Sequence, residues 1–446
     1  MPAAPQTSKP DSPAFEDPRR GYLALGVFLV LYALAYLDRH VLNLMVEPIR
    51  RDLGATDFQI SLLQGIAFVA FFSLSGLPLG WAVDRYPRRI VVFCGIIFWS
   101  VAAAAGAFAT RYWHLLLARF GVGAGEAALA PAAYSILADL FPPARLGFAM
   151  AIFSSGAIVG GAISLAAGGL IVGLASEGAV YVVPFLGEFS AWQLVFLVTG
   201  APGLLLVFLI FLVSEPKRRA TALTDRTAGP NLFEGLRFMA SQRGFFSAHL
   251  AGFSLLNLVA YSWIAWSPTF LARTLGWSIP KVGLILGAAT LIGGLVGMLG
   301  SGRLADHLFR RGVADAHLRI YVYAALGLGA LIVTAGLVPQ TTVVVVCVVL
   351  ASVITPFIAV AATALQITTP ARYRGQVSAV FLLVYNIVGA GLGPVIVAAF
   401  TDYVFAEDAR IGWSLAASAA IFTPLASLCF ARGLAPMRRA LGCAGA

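Results

Sequence analysis

The chain alternates long apolar stretches with short polar ones, and twelve of the apolar stretches reach about 20 residues. That length carries an α-helix across about 30 Å of hydrocarbon. The first six begin near Tyr22, Phe58, Ile90, Tyr112, Gly147 and Trp192; the second six begin near Phe245, Val282, Ile320, Thr342, Gly375 and Ile411. The runs are uninterrupted and lack the two-residue alternation that barrel strands need, so the pattern predicts an all-α membrane protein of twelve transmembrane helices.

The polar breaks divide the chain. Residues 1–20 are Pro-rich and polar and read as a disordered cytoplasmic tail with no cleavable signal. A six-helix bundle is expected over 21–214, a linker over 215–243, a second six-helix bundle over 244–432 and a short tail over 433–446. Within the linker, Asn231 to Ser241 places Leu232, Phe233, Leu236 and Met239 at helical spacing, which fits either an amphipathic surface helix or a solvated connection.

Composition agrees with the pattern. With 60% hydrophobic and 11% charged residues, an ordinary soluble domain is excluded. The net charge of +10 suggests a nucleic-acid partner only until the bases are mapped. One set of loops holds most of them, including Arg85, Arg88, Arg89, Arg145, Arg310, Arg311, Arg319, Arg438 and Arg439; the other set holds Arg50, Arg51, Arg111, Arg273, Lys281 and Arg410. Such a bias puts both termini in the cytoplasm and removes the reason to invoke nucleic acid. Cys94, Cys347 and Cys429 sit singly in apolar runs and Cys443 in the tail, with no metal-ligand spacing. No catalytic set, metal site or cofactor motif is evident, and no enzyme activity is expected.

Four charges lie inside apolar stretches, all in the first half: Asp38, Arg39, Arg119 and Glu126. Charge held in hydrocarbon is costly and marks a candidate site. At 1.5 Å per residue, Arg119 lies about 10 Å and Glu126 about 21 Å below the outer start of helix four, and Asp38 lies about 15 Å deep in helix one. Stretches of the second half, such as Phe245 to Leu271 and Val343 to Thr369, carry no acid. That asymmetry points to cargo with one charged end and one apolar end.

The halves also repeat. Gly80-Trp81-Ala82-Val83-Asp84-Arg85-Tyr86-Pro87-Arg88-Arg89 is echoed by Gly302-Arg303-Leu304-Ala305-Asp306-His307-Leu308-Phe309-Arg310-Arg311, and Pro143-Ala144-Arg145 by Pro370-Ala371-Arg372. Parallel six-helix repeats of this kind build many secondary transporters. The Gly-x-x-x-Asp-Arg-x-x-Arg-Arg signature, its weaker copy and the helix count resemble the major facilitator superfamily over roughly Gly21 to Arg432. Pro87 stands where that pattern usually has Gly, and His307 replaces Arg in the copy, which suggests a less active second gate. Tyr36-Leu37-Asp38-Arg39 and Arg119-Phe120-Gly121-Val122-Gly123-Ala124-Gly125-Glu126-Ala127 are similar to the Spinster family, whose members are linked to export of lysophospholipids and sphingosine phosphate.

The resemblance implies two pseudo-symmetric bundles in a cell inner membrane, alternating access, and a cavity lined by helices one and four. Asp38 is then expected to pair with Arg119, with Glu126 below them. Protonation of Asp38 or Glu126 would free Arg119 to hold an anionic head group. The opposing reading is a permanent ion pair that locks two helices. Arg39, pointing about 100° from Asp38, is a substrate contact, a snorkelling residue or one that pairs elsewhere, and His40 is a bystander. Asp84, Arg85, Arg88, Arg145 and Asp306 are expected to gate the inner face. Uncharged wall candidates are Asn257, Tyr261, Trp263, Trp266, Thr363, Gln366, Tyr385 and Asn386. The partners implied are protons, membrane lipids and an amphiphilic lipid substrate; a carrier of small organic anions or drugs is the alternative, and a non-transporting receptor is a further one.

Overall fold

The computed structural model describes residues 18–174, 180–184, 187–216 and 232–442. Twelve helices in it are long and apolar enough to span a membrane: α1 (Arg19–Leu44), α2 (Asp57–Arg85), α3 (Arg88–Phe108), α4 (Tyr112–Leu140), α5 (Arg145–Gly173), α6 (Ala191–Leu212), α7 (Arg243–Leu275), α8 (Ile279–Arg310), α9 (Ala316–Leu337), α10 (Thr341–Thr368), α11 (Arg374–Phe405) and α12 (Asp408–Ala440). Each starts within a few residues of its expected place. Apolar length alone dictates this, because a backbone in hydrocarbon must satisfy its own hydrogen bonds.

Some local features depart from the sequence expectation. Helix begins at Pro18, inside the stretch expected to be a tail, and α12 runs on to Ala440, past the expected boundary at Arg432. Much of the linker and Cys443 lie outside the described residues. A two-stranded antiparallel hairpin, β1 (Val180–Val183) and β2 (Gly187–Ser190), precedes α6. The linker helix Leu232–Ser241 packs on protein: Phe238 stacks on Tyr373 with ring centres 5.1 Å apart, and Met239 is buried.

Three spans are broken where chemistry is concentrated. Helix α2 interrupts at Gly65, α4 at Ala127 and Ala128, and α11 contains π-helical turns at Asn386–Gly391 and Phe400–Phe405. Gly65 is required by close approach, since a Cβ there would lie 2.5 Å from the Gly391 carbonyl oxygen of the other bundle.

The bundles join at the end of the molecule opposite the termini. The ion pairs between the two halves among the described residues lie there. Arg273 of α7 donates to Asp57 at 2.6 and 2.9 Å and to Glu47 at 2.5 Å. Arg50 pairs with Asp408 at 2.8 Å and with Asp57 of its own half at 3.2 Å. Asp402 of α11 accepts from the Phe58 N–H at 2.8 Å and so caps the start of α2 from across the interface. Asn43 and Gln64 donate to the Ile264 and Ala265 carbonyls at 3.4 and 3.3 Å. At the termini end Asp84, Arg85, Arg145 and Asp306 are exposed, and Arg85 lies over Trp81 at 4.5 Å.

Candidate functional site

The four intramembrane charges do come together, with different partners from those expected. Arg39 of α1 pairs with Glu126 of α4, and Glu126 is buried. Arg119 makes no ion pair with Asp38. It spreads its donors over main-chain carbonyls instead: Nε to Leu63 at 3.3 Å, one terminal nitrogen to Asp38 at 3.3 Å, the other to Arg39 at 3.5 Å.

The reason is local. Leu63 lies in the last turn before the Gly65 break, and Asp38 and Arg39 lie in the last turn before α1 tightens at Leu42–Leu44. Helix ends leave carbonyls without intrahelical partners, and a planar guanidinium with five donors can serve several at once. Arg119 is therefore a knot tying α1, α2 and α4, and it is only 2% exposed. In this conformation Arg119 spends its donors on these carbonyls rather than on the expected pair with Asp38.

Asp38 is left over. Both carboxylate oxygens are buried and make no well-formed hydrogen bond, and the Thr199 hydroxyl is the polar side chain beside them. Asp38 and Arg119 border a small cavity closed by Ala103, Leu115, Val122 and Phe196, with room for about one water.

Glycine positions Glu126. It ends the helical segment Tyr112–Glu126, and a Cβ on Gly123 would lie 2.4 Å from the Phe68 carbonyl oxygen, while one on Gly125 would lie 2.7 Å from that of Gly95. Their absence lets α4 press backbone to backbone on α2 and α3, which brings the carboxylate within reach of Arg39. The Arg39 side chain is 14% exposed, the most open of the cluster's two cations. Its guanidinium carbon sits 4.5 Å from the Tyr36 ring centre, 4.2 Å from Phe68 and 5.6 Å from Phe72. Tyr261 of α7 faces it from the other half and packs with Phe68 and Phe72. His40 lies against the Tyr36 ring.

Of the other wall candidates, Asn257 and Trp266 are corrected by their bonding. Asn257 donates to the Tyr385 carbonyl at 3.0 Å and the Trp266 indole to the Pro394 carbonyl at 2.9 Å, both fully inside the α7–α11 seam. Trp263 is buried against Phe270, and Tyr385 is buried with its ring against Phe381. Asn386 is half-buried at the first π-helical turn; Gln366 donates to Ser378 at 3.0 Å, and Thr363 is exposed.

Arg88, expected at the gate, is a second knot. It is 1% exposed and binds Asp139 at 2.5 Å, Glu215 at 2.9 Å, Ser135 at 2.9 Å and the Pro216 carbonyl at 2.8 Å, all within its own half or the start of the linker. Burial pushes the Glu215 carboxyl up, but hydrogen bonds from Arg89 and Arg88 together with the Arg88 charge outweigh it and hold the group below its usual range.

Sequence reasoning missed the ionic latch at the far end. Glu47, Asp57, Asp402 and Asp408 lie at span ends, where charge is ordinary, so nothing in composition or depth set them apart. Asp57, Asp402 and Asp408 bring carboxylate oxygens within 4.8 Å of one another, with Arg50 bound to Asp57 and Asp408 and Arg273 bound to Asp57.

Two six-helix bundles closed at one end around a buried ionic cluster define a membrane transporter. The comparisons agree: the Major Facilitator Superfamily pattern matches residues 28–394, and the chain belongs to that superfamily. It is 30% identical over 393 residues to an MFS-type efflux pump of Mycolicibacterium smegmatis, covering 86% of this chain and 85% of that one. It is 26% identical over 317 residues to protein spinster homolog 3 of Danio rerio, covering 67% of this chain and 58% of the relative, and 28% identical over 289 residues to a probable L-galactonate transporter of Escherichia coli, covering 64% and 61%. A solved bacterial homologue of the human lysosomal transporter Spinster, inward-facing and unoccupied, superposes with a TM-score of 0.77 at 24% identity over 96% of this chain and 98% of that one. The chain is Spinster-like.

Proposed function

We propose that the protein is a proton-coupled carrier that works by alternating access and moves an amphiphilic anion, with Arg39 as the anchor for the anionic end. The observation that carries this reading is the Arg39–Glu126 pair in an aromatic cradle beside the unpartnered Asp38. A proton taken up by Glu126 cancels its attraction for Arg39 and leaves a guanidinium, already seated on aromatic rings, free to bind a phosphate or carboxylate. A proton on Asp38 cancels the charge of a buried carboxylate that makes no ion pair, and its loss restores an attraction to Arg119. Asp38 and Glu126 are thus the proposed proton sites.

The termini end is the cytoplasmic end in this reading, from the arginine bias of its loops. With the latch closed at the other end, this conformation is read as the inward-facing state, and release of the latch accompanies the outward swing. Asp84, Arg85, Arg145 and Asp306 are proposed to meet across the cytoplasmic end only in that second state.

The aromatic and uncharged surroundings of Arg39 favour cargo with an apolar tail over a polyol, which would need polar partners along its length. A sugar acid is the second reading, because relatives include galactonate transporters. Uptake into proteoliposomes should be compared for lysophospholipids of increasing chain length and for galactonate, with and without an imposed pH gradient. The proposal expects uptake to rise with tail length and to need the gradient. Equal uptake of tailless acids would overturn the amphiphile, and indifference to the gradient would overturn the coupling.

A further inference from the structure

Each half has a buried ionic centre near the start of its third helix, a cation in the first half and an acid in the second. In the first half a buried cation, Arg88 at the start of α3, is held by acids at the end of α4 and just after α6, Asp139 and Glu215. In the second half the turn just before α9 holds a buried acid: Asp315 is 1% exposed. Arg319, one turn along α9, grips it through two bonds of 2.8 and 2.9 Å, and Arg438 in the last turns of α12 lies 3.5 Å from it.

The sign of the buried centre decides what faces outward. Arg88 spends its donors inside the protein. Arg319 and Arg438 turn toward the surface, with side chains 46% and 38% exposed, and one carboxylate holds both guanidiniums at the same corner. A single negative charge does not neutralise two cations, and an Arg that uses part of its fork on Asp315 keeps further donors for a second anion. Arg439 on α12 and Arg311 in the turn after α8 are exposed at the same end of the molecule; Asp306, in the last turns of α8, is also exposed, and it interacts with His317. One turn further along α9 from Arg319, Tyr323 is 72% exposed. An aromatic ring one turn from a basic pair is what a helix presents at the boundary between head groups and acyl chains.

We propose that this corner of α9 and α12 binds the phosphate of an anionic membrane phospholipid, held between Arg319 and Arg438, with its chains running along the lipid-facing side of α9 past Tyr323. The site is separate from the Arg39 cluster and independent of what the protein transports. It makes the second half sensitive to the anionic lipid content of the leaflet at the termini end.

The test uses purified full-length protein in nanodiscs of phosphatidylcholine doped with phosphatidylglycerol. Retention of phosphatidylglycerol is read by native mass spectrometry and stabilisation by thermal shift. Wild type is expected to retain phosphatidylglycerol over phosphatidylcholine, and R319Q/R438Q to bind it about thirty-fold more weakly, two bases at about fivefold each. An unchanged preference in that variant overturns the proposal. So does a stabilisation that inorganic phosphate reproduces in full and that ignores the acyl chains, because the ligand is then the free anion. Should R319Q/R438Q not fold with Asp315 unpaired, D315N/R319Q/R438Q removes the buried charge and is read the same way. On wild type alone, a photoactivatable phosphatidylglycerol is expected to label α9 and α12 peptides; labelling confined to other helices overturns the site.

Discussion

Arg39 and Glu126 form the ion pair that joins α1 to α4 inside the membrane, while Asp38, one residue before Arg39, makes no ion pair and no well-formed hydrogen bond. Neighbouring residues on a helix point about 100° apart, so one position faces the α4 carboxylate and the other faces the void beside Arg119. The two acids can then respond to protons separately.

Glu126→Gln keeps the shape of the side chain and removes its charge. We expect exchange of labelled substrate at equal pH on both sides to persist, while uptake driven by a pH gradient falls at least about tenfold, the effect of losing one charge-assisted bond worth more than about 1.4 kcal/mol. Counterflow and gradient-driven flux in the same vesicles check this. Arg39→Ala, by contrast, strands a buried carboxylate and should cost about 3–5 kcal/mol of stability.

Asp38→Asn should fold as wild type or better, because it removes a buried carboxylate that makes no well-formed hydrogen bond. Its flux should lose part of the pH dependence seen in wild type. A flux–pH profile identical to wild type would assign proton coupling to Glu126 alone.

Arg119→Lys retains the charge but cannot reach carbonyls of α1 and α2 together. The expected result is a loss of about 1–3 kcal/mol in stability, seen as a lower thermal midpoint in detergent, with no gain from raising substrate concentration.

Asp57 is wholly buried and holds both Arg273 and Arg50, so Asp57→Asn should loosen the end opposite the termini. Cysteines placed near Ala55 and Trp277 should label faster with a membrane-impermeant thiol reagent in the variant. Exchanging the charges, Asp57→Arg with Arg273→Asp, should restore part of the slow labelling; no recovery would mean that the Glu47 and Arg50 contacts govern closure.

Glu215 supplies a prediction for low pH. Its carboxyl is held below the ordinary range of about 4.3, so the unfolded chain binds the proton more readily than the folded one. The stability it contributes is complete above that ordinary value and is lost as pH falls through the depressed one. Hydrogen exchange at the start of α3 and around Val213 should therefore quicken below about pH 4, and Glu215→Gln should show the faster exchange already at neutral pH.

Much was legible in the chain itself. Twelve apolar runs became twelve spans because each run must satisfy its own backbone in lipid, whatever its neighbours do. The repeated Asp-Arg signature revealed the duplicated halves, and the rarity of charge in hydrocarbon picked out Asp38, Arg39, Arg119 and Glu126 before any geometry was known. Their partners were not legible. Which acid meets which base depends on helix rotation, on the breaks at Gly65 and Ala127, and on carbonyls left free at helix ends, and a sequence pattern records none of these. The ionic latch was hidden for a different reason: its members come from Glu47, Asp57, Arg273, Asp402 and Asp408, far apart in the chain and unremarkable at span ends. Sequence by itself determined the spans, the repeat and the identity of the costly charges, because those follow from local transfer energies. Only the tertiary structure decided that Arg119 ties helix ends, that Arg39 meets Glu126 and that Asp38 is left without an ion pair, because pairing is a matter of distance and direction between helices.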